Sequence, residues 1–111
     1  MGQLQNRTKD KRRNGLQLEL ETLLGSQYVY FQPDQNVRLH YPCIVYNQED
    51  SDSDYADDKT YIIHYRYTIV CISKDPDDDL DDRILMRFEY ARSGRPYVVD
   101  QLYHKTVSLY Y

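Results

Sequence analysis

Of the 18 carboxylates in this 111-residue chain, twelve fall in two short runs, and these are the first candidates for chemistry. One run comprises Asp75, Asp77, Asp78, Asp79, Asp81 and Asp82. It begins like an EF-hand calcium loop, with acids at alternate positions. Such a loop needs a glycine at its sixth position for the sharp turn and a bidentate glutamate at its twelfth. Here those positions hold Leu80 and Met86. The run therefore reads as the start of a helix, where carboxylates accept from free N–H groups and complement the positive end of the dipole.

Other constellations fail for comparable reasons. Pro33-Asp34 followed by Asp57-x-Lys59 has the residue types that hold Mg²⁺ and a water in one broad nuclease superfamily. The second half of that motif belongs in an apolar strand, whereas here it lies in a polar stretch from Asp54 to Thr60. His40, His64 and His104 stand apart, with no Ser, Cys or Asp partner recognisable beside them, no strained elbow and no glycine-rich loop. Cys43 and Cys71 sit inside apolar, strand-like runs without zinc spacing. They read as reduced, buried thiols behaving as small hydrophobes. The sequence thus predicts no catalytic residue, no metal site and no cofactor.

The second acidic run, Glu49, Asp50, Asp52, Asp54, Asp57 and Asp58, is interleaved with Ser51 and Ser53. It reads as a solvated loop over residues 47–59 at the tip of a hairpin. There it lines a channel or docks a partner, through charge and not through catalysis. Opposite in sign is the start of the chain. Arg7, Lys9, Lys11, Arg12 and Arg13 face one acid, Asp10, for a charge of +4, so the rest carries −8 of the net −4. Residues 1–15 form a basic arm or a helical extension, with candidate contacts to an acidic surface or to nucleic acid. A body as acidic as residues 16–111 offers no general phosphate-binding surface.

The elements that would position these residues follow from periodicity. Leu16, Leu20, Leu23 and Leu24 lie on one helical face, and Gly25 ends the pattern as a helix C′ residue should. Tyr28 to Phe31 and Pro42 to Tyr46 are short β-type runs, the second with its proline at the permitted first position. From Thr60 to Ser73 the odd positions Tyr61, Ile63, Tyr65, Tyr67, Ile69 and Cys71 are all apolar or aromatic. The even positions are polar for half that length, as an antiparallel strand with one covered face requires. Leu80, Ile84, Leu85 and Phe88 mark a second helix, Ser93 to Pro96 a turn, and Tyr97–Leu102 and Tyr103–Tyr111 two closing strands. The expected order is α-β-β-β-α-β-β. It describes a single α+β domain, with an antiparallel sheet of four to five strands and both helices on one face.

Composition agrees with one modest core. The chain is 41% hydrophobic and has 13 tyrosines, two phenylalanines and no tryptophan. Tyrosine is amphipathic, so this usage favours half-buried strands and interfaces over a large dry interior. No apolar stretch approaches the length of a membrane span, and no signal peptide is expected at the N-terminus.

The succession of short motifs resembles one family. A leucine-rich helix runs into Gly25, followed by Val29-Tyr30-Phe31-Gln32-Pro33 and Tyr41-Pro42-Cys43-Ile44-Val45-Tyr46. An acidic loop with Tyr55-Ala56-Asp57 leads into Tyr65-x-Tyr67-Thr68-Ile69-Val70 and then Asp75-Pro76-Asp77. Asp100-x-Leu102-Tyr103-His104 and Leu109-Tyr110-Tyr111 close the chain. Over residues 16–111 this is similar to the tail terminator, or tail completion, proteins of siphophages. The resemblance implies a homo-oligomeric ring, usually of six copies, at the head-proximal end of the tail tube. Such a ring ends tube polymerisation, meets a head connector or stopper protein, and lets DNA pass without specific binding. It also implies assembly in a host cytoplasm, a place in the virion neck, no membrane partner and no catalytic residues. Other small neck proteins, such as head-completion or stopper subunits, and phage-encoded binding modules or inhibitors remain alternative readings.

Overall fold

The chain runs α1 (Gln3–Leu24), β1 (Val29–Phe31), β2 (Cys43–Tyr55), β3 (Tyr61–Ser73), α2 (Leu80–Arg87), β4 (Ala91–Ser93), β5 (Tyr97–Val99) and β6 (Leu102–Tyr110). The structure is a computed structural model that describes the backbone of residues 3–55 and 61–111, and the side chains of 12–49 and 65–111. The expected α+β class holds. One six-stranded sheet is ordered β1-β2-β3-β6-β4, with β5 also paired to β6, and both helices pack on one of its faces.

Helix α1 continues through the basic stretch, so residues 3–15 extend the helix. It stops at Gly25, whose φ of 82° lies in the left-handed region that glycine enters freely. The Gly25 N–H donates to the Glu21 carbonyl at 2.8 Å, the single bond of an αL cap. A second carbonyl left over at that end, of Leu23, accepts from Arg83 Nη1 at 2.7 Å, which ties α1 to α2.

The period-2 pattern predicted for β3 is the one observed. Tyr67, Ile69 and Cys71 join Ile44 and Tyr46 of β2 and Val107 and Leu109 of β6 on the covered face. Leu16 and Leu20 of α1 and Leu80 and Ile84 of α2 close over them, all at most 2% exposed. Burying a side chain of this size contributes roughly 1.5–3 kcal/mol. Of the two tyrosines in this layer, the buried Tyr67 hydroxyl has no hydrogen-bond partner among the described residues, whereas that of Tyr46 does. The Tyr46 hydroxyl donates to Gln17 Oε1 at 2.5 Å, and Gln17 Nε2 donates to the Val29 carbonyl at 2.9 Å. Gln17 therefore joins α1, β1 and β2 at one point.

Three features differ from expectation. First, β1 pairs parallel with β2. The eleven residues between them form a crossover and not a tight turn, so the chain re-enters in the same direction. Second, there are six strands, because one edge strand is split in two. β4 pairs Ser93 with Val107, and β5 pairs Tyr97 with His104. Three residues, Gly94 to Pro96, thus face two, Lys105 and Thr106, which is a one-residue bulge. Gly94 packs so closely there that a Cβ would lie 2.3 Å from Thr106 Oγ1. Third, β2 reaches Tyr55, so residues 47–55 are strand where a loop is expected. Aspartate and serine are poor strand formers, but pairing along the strong β-former β3 overrides their preference. The remaining residues of the expected loop tip, 56–59, lie outside the described residues.

Candidate functional site

The second acidic run stands on a two-stranded arm. β6 pairs β3 from Arg66 to Ser73, and the Tyr111 N–H donates to the Tyr65 carbonyl at 3.0 Å. Beyond Tyr65, β3 pairs with β2 alone, in register from Ser51↔Tyr65 to Tyr55↔Tyr61. A bulge sits at the root of this arm: the register shifts between Gln48 and Ser51, so Glu49 and Asp50 together face Arg66. Glu49 is exposed, and its Oε1 accepts from Thr68 Oγ1 at 3.1 Å. Asp50, Asp52 and Asp54 occupy strand positions along the arm. Asp57 and Asp58 lie outside the described residues.

The first acidic run is folded into the domain at the start of α2. Asp75 Oδ1 accepts from the Asp77 N–H at 2.9 Å, and Asp78 Oδ1 accepts from the Leu80 N–H at 3.0 Å. The expected helix start is therefore right in kind. The residue at the N-cap position, Asp79, makes no side-chain cap bond; the bond comes from Asp78. Lys105, from the covered face of β6, then clips the loop. Its Nζ donates to the Asp78 carbonyl at 2.6 Å and the Pro76 carbonyl at 3.2 Å, and lies 4.0 Å from Asp81 Oδ1. That oxygen accepts no hydrogen bond, so the ammonium serves it by charge alone. Nothing in the spacing of the acids points to Lys105, because the contact joins segments more than 20 residues apart.

Of the basic arm, Arg12 and Arg13 turn inward onto aromatic faces. Arg12 lies 5.5 Å from the Tyr65 ring centroid and Arg13 lies 4.6 Å from that of Phe31. Each is a cation–π contact that anchors the helix to the sheet. Arg7, Lys9 and Lys11 are in the described helical backbone, but their side chains lie outside the described residues.

Among the described residues the remaining candidates do not converge, and the side chain of His64 lies outside them. Cys43 pairs with Ile72, and Cys71 pairs with Ile44, so the two thiols are one register step apart on opposite faces of the sheet. Both are buried and free. Burial raises the Cys43 thiol to about 11, and burial followed by the charges of Asp81 and Asp78 raises Cys71 to about 12. Neither is a nucleophile near neutral pH. His40 stacks on Tyr28 at 5.0 Å and His104 on Tyr97 at 4.6 Å. His104 Nδ1 also lies 3.0 Å from the Leu102 carbonyl. Asp34 is exposed in a turn, while Asp57 and Lys59 of the nuclease-like pattern lie outside the described residues. Among the described residues, no group of three His, Cys, Asp or Glu is arranged to hold a metal ion, and no helix is long and apolar enough to cross a membrane.

Sequence reasoning missed one surface. On the open face of the sheet, at the root of the arm, a groove of about 510 Å³ is lined by Arg66, Glu89, Tyr90, Arg92, Ser108 and Tyr110, among others. Towards the other end of the split edge, along β5, Tyr97, Val98 and Val99 are 45%, 59% and 49% exposed. The signal for the groove was the polar alternate positions of β3 and β6, which mark an uncovered face but not its shape. No protein-family model matches the chain, and no curated protein matches it.

Proposed function

We propose that this chain is a structural, non-catalytic subunit of a phage neck. In this reading it is a tail terminator that forms a ring, six copies by resemblance, at the head-proximal end of the tail tube. The ring ends tube polymerisation, joins the tube to a connector or stopper protein and lets DNA through. The observation that carries the reading is the asymmetry of one small sheet. At one side it extends an acidic two-stranded arm; at the other it ends in a split edge with three consecutive exposed apolar or aromatic residues. A cyclic assembly needs two unlike, complementary surfaces on each subunit, because its contacts are heterologous. The order of short motifs along residues 16–111 supports the family. The acidic body supports passage of DNA without adhesion.

Native mass spectrometry of the purified chain, with negative-stain imaging of tail tubes incubated with it, tests this. A single closed stoichiometry and density at one end of each tube are expected. A protein that is monomeric at every concentration and binds neither tubes nor connectors refutes the reading. Incubation with DNA and Mg²⁺ is expected to give no cleavage, and Asp57→Ala or Lys59→Ala should leave assembly unchanged.

A further inference from the structure

We infer that the groove at the root of the arm seats the acidic arm of a second copy of this chain. The inference rests on the self-assembly reading and names the contact that would produce it. Arg92 pairs with Ser108, and Arg66 pairs with Tyr110. Both arginines therefore flank β6 on the open face, with Ser108 and Tyr110 between them. Among the described side chains, which include Glu89 in the same groove but not Asp50, Asp52 or Asp54, no carboxylate makes an ion pair with either guanidinium. Two cations over an open, tyrosine-walled groove fit a negatively charged, extended segment. Guanidiniums grip carboxylates in fixed geometry, and tyrosines add contact area at low entropic cost.

The chain itself offers one such segment. Four acids of the other run are held within the domain: Asp79 pairs with Arg83 at 3.2 Å, Asp81 lies beside Lys105, and Asp75 and Asp78 accept from backbone N–H groups of their own turn. The outer half of β2 reads Glu49-Asp50-Ser51-Asp52-Ser53-Asp54 and, among the described residues, pairs with β3 alone. Glu49 and Asp50 at its root face Arg66 of the same chain, but its outer end runs away from the groove. The ladder from Ser51↔Tyr65 to Tyr55↔Tyr61 carries the arm's outer end ~14 Å beyond its root, at about 3.4 Å per step, and the groove lies at that root. Each copy thus presents an acidic arm outward and keeps a basic groove behind it. Arm into groove is a heterologous contact, which closes into a ring when the rotation per copy allows.

Reciprocal charge reversal in the full chain tests this by light scattering and native mass spectrometry. Arg66→Glu with Arg92→Glu is expected to weaken self-association roughly a hundredfold by setting like charges together. Asp52→Lys with Asp54→Lys should do the same. An equimolar mixture of the two variants should assemble again, because each groove then meets an arm of opposite charge. That rescue also excludes misfolding as the cause of the losses. If both variants assemble like the wild type, or if neither recovers on mixing while both keep the wild-type circular dichroism and melting behaviour, the contact is wrong and a ring must use another surface. A wild type that stays monomeric on its own and on tail tubes overturns the contact and the ring reading together.

Discussion

The two faces of the sheet have nearly the same backbone and opposite fates. On the covered face, Ile44, Tyr46, Tyr67, Ile69, Val107 and Leu109 are all fully buried beneath α1 and α2. On the open face, Arg66, Thr68, Val70, Thr106 and Tyr110 keep part of their surface and Ser108 is exposed. The acidic runs divide the same way. The one beside the covered face is clipped by Lys105, while the other rides a two-stranded arm beyond the reach of β6. Stability therefore resides on the covered side, and the side without helices is free to make contacts with other molecules. Cys43 and Ile72 are buried on the open face as well, but the stretch around Arg66, Arg92 and Ser108 is left uncovered and can be given over to association.

The comparison is broken most forcefully within α1. Leu20→Ala is expected to cost about 2–5 kcal/mol in chemical denaturation, because the residue is fully buried over the sheet. Leu18→Ala, two positions away at 63% exposure, should change stability by less than about 0.5 kcal/mol. Equal effects would mean that the helix presents another face.

Alkaline pH probes the covered face and the cysteines together. Both thiols have folded pKa values above the ordinary 9.0, at about 11 for Cys43 and about 12 for Cys71. The folded state thus holds protons that the unfolded state releases. Stability should be fully present below pH 9 and fall as pH rises through 11 to 12, by at most ~1.4 kcal/mol per pH unit for each thiol. Urea midpoints measured from pH 8 to 11 check the sign, and Cys43→Ala with Cys71→Ala should flatten the decline. Thiol labelling should find both groups unreactive when folded at pH 7 and two free groups after denaturation without reductant.

Smaller effects sharpen the boundary between the faces. Gly94→Ala should cost about 1–3 kcal/mol, since its Cβ would meet Thr106 Oγ1 at 2.3 Å, and Thr106→Ala should recover part of that cost. Lys105→Met should cost about 1–2 kcal/mol by leaving two carbonyls and Asp81 without their cation. Least of all, Asp52→Asn with Asp54→Asn should shift the melting free energy of the monomer by under ~0.5 kcal/mol. A large loss there would make the arm part of the fold's own support and not a contact element.

Much of the fold was legible because it is written in local periods. The leucine stripe and Gly25 set the end of α1, the alternation from Tyr61 to Cys71 assigned the buried face of β3, and Leu80, Ile84 and Phe88 placed α2 to within a residue. Each of these signals is carried by neighbours in sequence, where side-chain direction repeats with the backbone. Arg12 and Arg13 show where that reach ends. Their charge reads as an exposed arm, yet the rings they cover belong to β3 and β1.

What the sequence determined by itself was therefore the class, the element order as far as α2, and the buried faces of α1, β3 and α2. Tertiary structure alone decided the rest. The parallel entry of β1 depends on where an eleven-residue crossover lands. The extension of β2 through Asp50, Asp52 and Asp54 depends on the partner strand, because a ladder can hold residues that disfavour β structure. The split of the edge strand depends on Gly94 meeting Thr106. The Lys105 clip and the Arg66–Arg92 groove join segments more than 20 residues apart. Contacts of that kind leave no period in the chain, so they exist only once the sheet has brought their strands together.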